Sequence, residues 1–82
     1  SKTGHALSFG EADSVTVVAN NASLADAAAT AICNSVIGEN VKESIRQGLE
    51  RARTIKGVRG VLIIREESSG LWGNLPRIVK VN

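Results

Sequence analysis

The stretch SLADAAATAICNSV, residues 23–36, sets Asp26, Thr30 and Asn34 four residues apart in otherwise apolar surroundings. An α-helix turns about 100° per residue, so these side chains fall on one polar stripe of a helix that is apolar nearly everywhere else. A carboxylate and a hydroxyl one turn apart can both reach one hard cation. A magnesium ion that also binds phosphate oxygens needs only a few oxygens from protein. Asp26 and Thr30 are therefore candidate metal ligands. Two structural readings compete with this one. In the first, Asp26 caps the helix N-terminus, where the dipole favours an anion. Thr30 then bonds back to the carbonyl four residues earlier, and Asn34 lies near the C-terminus, where polar residues are common. In the second, the stripe is a hydrogen-bond network at a subunit contact.

Other chemistry-bearing residues are few. His5, in TGHALSFG, is the only histidine. It is a candidate cofactor contact, although a histidine opening a strand is more often exposed or satisfied. The lone Cys33 lies in the apolar helix and has no partner for a disulfide, which points to a buried, inert thiol in a reducing compartment. The glycines at 4, 10, 57, 60, 70 and 73 match neither a dinucleotide fingerprint nor a P-loop, because none lies between a strand and a helix at the required spacing. No serine or cysteine has a partnered base in sight. A complete active site is not legible here.

These residues have to be held by a small scaffold. The spacing predicts a strand over HALSFG (5–10), a polar turn at Glu11–Asp13, and a β-branched strand over SVTVVA (14–19) with Val15, Val17 and Ala19 on one face. A helix over about 24–37 follows, with Ser23 as N-cap, Asp26 three residues on, and Gly38 as the stop. A second helix starts at the cap Asn40 with Glu43 at its third position. Val41, Ile45, Leu49, Ala52 and Ile55 form its apolar stripe, charged residues cover the other side, and Gly57 ends it. The first helix is expected to be buried on most sides and the second to lie outermost. GVRGVLIIREE (57–67) is a strand apolar on both faces. A turn at SSG and a last strand over about 71–81 complete a hairpin, with an edge or a bulge expected at Pro76. The fold class is α+β in the order ββααββ, a four-stranded antiparallel sheet with two helices on one face.

With 82 residues the chain is one small domain, and its net charge of +2 is too weak to imply nucleic acid or an anionic membrane. No apolar run is long enough to span a bilayer, and no signal peptide is visible, so a cytoplasmic location is expected. The double-sided strand carries a further implication. Two helices can cover one face of the sheet, leaving the side expected to hold Val61 and Ile63 to be covered by something else. The chain is accordingly expected to pair with a missing part of the same protein or with further copies of itself.

GHALSFGEADSVTVVANNASLADAAATAICN, followed by IKGVRGVLIIREESSGLWG, resembles the C-terminal half of an uncharacterised family of bacteria and archaea. That family is related to the FAD:protein FMN transferases, once called thiamine biosynthesis lipoproteins, of the ApbE-like superfamily. The most specific piece is SVTVVA followed by LADAAAT. In the transferases an SVTV strand precedes an A-D-A-x-A-T helix whose Asp and Thr help hold magnesium against the FAD pyrophosphate. The resemblance implies that role for Asp26 and Thr30, and it implies a T-fold unit, one of two ββααββ repeats. The other half, which supplies most of the flavin surface in the transferases, is missing, so flavin transfer itself does not carry over. The expectation is an ApbE-like protein contributing to a metal-assisted flavin-nucleotide or phosphate site. The alternative is a non-catalytic assembly or ligand-binding module whose sheet packs against a partner chain.

Overall fold

The computed structural model describes residues 4–75, and six elements follow one another in them: β1 (Gly4–Ser8), β2 (Ser14–Ala19), α1 (Ala22–Ser35), α2 (Val41–Arg53), β3 (Val58–Arg65) and β4 (Ser68–Gly73). The four strands form one antiparallel sheet in the order β1-β2-β3-β4, with the two helices inserted between β2 and β3. α1 lies over β1 and β2, and α2 lies over β3 and β4. This is the expected ββααββ arrangement.

The core is aliphatic. The residues Ala6, Val17, Val61 and Trp72 pair across all four strands and share the face beneath the helices. Val15, Val17, Val61, Ile63, Ile32 and Val36 are entirely buried between sheet and helices. Each such side chain contributes about 1.5–3 kcal/mol by leaving water. Trp72 packs at the edge of this cluster, while Phe9 is largely exposed.

The expectation for the two faces of β3 is inverted. Val61 and Ile63 lie under the helices, and Leu62 and Ile64 are half-buried on the side away from the helices. The register explains it. Val61 pairs with Val17 and Ile63 with Val15, so they join the wholly apolar side of β2, whereas Leu62 and Ile64 pair with Thr16 and Ser14.

Both helices open on asparagine. Asn21 Oδ1 accepts the Leu24 N–H at 2.8 Å, and Asn40 Oδ1 accepts the Glu43 N–H at 3.0 Å. The second cap is the expected one. The first lies two residues before the expected Ser23, so α1 both begins and ends about two residues early. On α2, Glu43 turns away from its cap to Arg46 and Gln47, whose hydrogen bonds hold its carboxyl below the usual range.

Nor is α1 buried on most sides. Ala25, Ala28, Ala29, Ile32 and Cys33 face the core, while Ser23, Asp26, Ala27, Thr30 and Asn34 are exposed. Neighbouring alanines therefore have opposite environments. Ala28→Leu is expected to overpack the contact and cost about 1–3 kcal/mol, whereas Ala27→Leu stays within about 0.5 kcal/mol. Chemical denaturation of the two variants checks this; equal losses would mean α1 is rotated from the position described.

The final hairpin is tighter than expected. Arg65 pairs with Ser68, so the turn is Glu66–Glu67, and Ser68-Ser69-Gly70 belongs to β4. Glu66 adopts a left-handed φ of 55°, and its N–H donates to Asp13 Oδ2 at 2.9 Å. A carboxylate from the β1–β2 turn thus supports a conformation that the local sequence does not advertise. β1 stops at Ser8, short of the expected Gly10. The expectation for Pro76, and the rest of the predicted last strand beyond Leu75, lie outside the described residues.

Candidate functional site

The polar stripe exists as a solvent-facing strip along α1. Asp26, Thr30 and Asn34 are all exposed, one turn apart, on the side turned away from the sheet. Thr30 Oγ1 donates to the Asp26 carbonyl at 3.3 Å, the back-bond expected of a helical threonine. That bond uses the hydroxyl proton and leaves the oxygen lone pairs available to a cation.

Asp26 does not cap the helix. Counting from the cap Asn21, it falls in the second turn, beyond the free N–H groups that a capping carboxylate could satisfy. Among the described residues, no donor meets the Asp26 carboxylate. Its charge is therefore uncommitted on a water-exposed surface.

His5 stands elsewhere. It pairs with Val18 on the side of the sheet away from the helices. The structure brings Asp26 and Thr30 together and leaves His5 apart from them. Among the described residues, no three His, Cys, Asp or Glu side chains converge where they could hold a metal ion. Asp26 and Thr30 bring two oxygen-bearing side chains from α1, so a cation held there would need phosphate, water or other protein groups at its remaining positions. A shallow open depression over the start of α2, lined by Lys42, Ile45, Glu67, Ser68 and Ser69, shares no residue with this stripe.

A buried polar cluster at the far end of the sheet escaped the reading of the sequence. The Arg65 side chain is only 11% exposed; its guanidinium donates to Ser44 Oγ at 2.8 Å and to Glu11 Oε1 at 3.3 Å. Glu11 Oε1 also accepts the Gly38 N–H at 3.1 Å, and Ser44 Oγ donates to the Val41 carbonyl at 2.7 Å. β3, α2, the β1–β2 turn and the link between the helices are thereby tied together. Every partner is internal, which makes this cluster a structural clamp. The available sequence signal was weak: an arginine directly after the apolar run at residues 61–64, on the core side of the strand.

Among the described residues, no helix is long and apolar enough to cross a membrane. No solved structure matches this chain. Archaeal proteins are among its curated relatives. A UPF0280 protein of Methanocaldococcus jannaschii is 46% identical over 79 residues, covering 96% of this chain and 32% of that protein. A UPF0280 protein of Methanobrevibacter smithii is 45% identical over 80 residues, with 96% of this chain and 34% of that protein covered. One from Methanopyrus kandleri is 44% identical over 82 residues, at 98% and 34%. The chain thus spans about a third of the length of these relatives. The model of the family described as AbpE bacteria matches residues 1–68 of the 82, and this chain belongs to that family.

Proposed function

We propose that this chain contributes Asp26 and Thr30 to a magnesium site that holds the phosphates of a flavin nucleotide such as FAD. The site would be completed by the rest of a longer ApbE-like protein or by a further copy of the chain. The observation that carries the reading is the idle carboxylate of Asp26. Asn21 has taken the capping role, so a charged side chain one turn from a hydroxyl is left without a structural task. The resemblance of SVTVVA–LADAAAT to the magnesium-binding segment of the flavin transferases supports the choice of ion and ligand. Group transfer is not part of the proposal. His5 lies on the other face of the sheet from this pair, so the proposal gives it no part in the site.

Two substitutions separate binding from stability. Asp26→Asn removes the one charged ligand at almost constant size, and Thr30→Val removes the hydroxyl oxygen at constant shape. Both sites are exposed, so each change should leave the unfolding free energy within about 0.5 kcal/mol of wild type. Magnesium-dependent binding of FAD to the full-length protein, followed by calorimetry, is expected to weaken at least tenfold in each. Equal affinity in wild type and both variants would overturn the proposal, and would leave the stripe as a solvated helix face.

A further inference from the structure

We propose that Arg51, on α2, holds the phosphates of the ligand from across the groove between the two helices. The inference rests on the magnesium site proposed above for Asp26 and Thr30. The register of the helices puts Arg51 in position. A side chain on Gly48 would meet Ile32 and Val36 of α1, and one on Gly57, just beyond α2, would meet Leu24. α2 therefore runs antiparallel to α1, and Arg51 falls between these two contacts, at the level of Thr30 and Ala31.

The face of the helix agrees. Arg51 follows Gly48 by three residues and Ser44 by seven, so it shares the flank of α2 that touches α1. Ile45 and Leu49 take the other flank, toward β4, where they meet Gly70. Arg51 is exposed, so it rides on the shoulder of α2 above the groove. On α1 the facing flank carries Ala27 and Ala31, three and seven residues after Leu24. Their methyl groups leave the path from Arg51 to Thr30 open. Packed helices lie ~8–10 Å apart axis to axis, a gap that an arginine stem and one phosphate group span together.

Charge supports the assignment. Arg53, in the same last turn of α2, is held by Glu50 at 3.2 Å, and Arg46 by Glu43 at 2.7 Å. Among the described residues no carboxylate lies within ion-pair distance of Arg51. Glu11, Asp13, Glu39, Glu66 and Glu67 belong to the turns near the start of α2, at its other end. The groove beside Arg51 is thus open to an anion. The diphosphate of a dinucleotide is a dianion. One magnesium ion set against it and the Asp26 carboxylate leaves a single negative charge over, which a guanidinium cancels. Arginine also presents parallel N–H groups to a phosphate, so it fixes orientation as well as charge.

Calorimetric titration of the full-length protein with FAD in the presence of magnesium tests the inference. Arg51→Gln is expected to weaken binding about tenfold or more, the loss of a charge-assisted contact to phosphate. Its midpoint of urea unfolding should stay at the wild-type value, because the side chain is exposed. Arg51→Lys keeps the charge and should recover part of the affinity. Inorganic pyrophosphate, which lacks flavin and sugar, should lose affinity for Arg51→Gln by the same factor as FAD. Arg53→Gln, in the same turn but engaged by Glu50, should bind as the wild type does. Wild-type affinity for FAD in Arg51→Gln overturns the inference. A loss confined to FAD overturns it too, because the arginine would then touch another part of the ligand. The magnesium reading fails separately: undiminished FAD affinity in Asp26→Asn sinks it, and a loss in Arg51→Gln would still uphold the arginine contact. A wild type that binds neither FAD nor pyrophosphate overturns both.

Discussion

Arg65→Ala is expected to lower the unfolding free energy by about 2–4 kcal/mol. The substitution deletes two charge-assisted hydrogen bonds, to Ser44 and Glu11, and also the stem that fills the space beside Ser44. For a domain of this size, whose whole stability is roughly 4–12 kcal/mol, such a loss is large. Arg65→Met separates the two contributions. It retains most of the stem and removes the burden of holding a cation at 11% exposure, while Glu11, half-exposed, can return to water. Its cost should be about 1 kcal/mol or less. Urea denaturation distinguishes the variants, and a loss below about 1 kcal/mol for Arg65→Ala would mean the clamp holds nothing. A second readout is local. With the arginine gone, Glu11 loses its anchor, and hydrogen exchange at the Gly38 amide should accelerate in both variants.

Gly48→Val is expected to cost at least about 3 kcal/mol, for a different reason. Gly48 is the point where α2 rests on the core. A Cβ there would stand 2.6 Å from Ile63 Cδ1, 2.6 Å from Val36 Cγ2 and 3.6 Å from Ile32 Cγ2. All three neighbours are fully buried, and the close ones come from stiff β-branched side chains, so relief requires α2 to lift off the sheet. Gly48→Ala sets two effects against each other. The helix gains about 1 kcal/mol in propensity, while overpacking costs about 1–3 kcal/mol. The net should be a loss of up to about 2 kcal/mol, where an exposed helical glycine would show a gain. Thermal or urea unfolding of the two variants checks the order; a stabilised alanine variant would mean that α2 packs more loosely than described.

Several elements were legible in the sequence because local rules alone decide them. Val15, Val17 and Ala19 share one face of a β-branched run with Ser14 and Thr16 between them, so β2 was readable to the residue. Asn40 precedes an amphipathic stretch with Glu43 three residues on, so the start of α2 was readable as well. The spacing of Asp26, Thr30 and Asn34 alone places all three on one stripe, because helix periodicity is a property of the backbone.

What remained hidden depends on residues distant in the chain. Asn21 and Ser23 are both competent caps, and the close approach of β1 selects the earlier one: a side chain on Gly4 would run into the backbone of Asn21 and Ala22. The Glu66–Glu67 turn relies on Asp13, more than fifty residues earlier, while Ser68-Ser69-Gly70 only looks like a turn. Leu62 and Ile64 are as apolar as Val61 and Ile63, so composition cannot say which pair the helices cover. The register against β2 says it, together with Gly48, which opens the space that Ile63 fills. The sequence by itself thus determined the α+β class, the order of the elements and the stripe on α1, because each follows from periodicity and caps within one segment. Only the tertiary structure decided that Asp26 is no cap, that Arg65 is a clamp, and which side of the sheet the helices cover, because these are outcomes of competition between segments for the same space and the same hydrogen bonds.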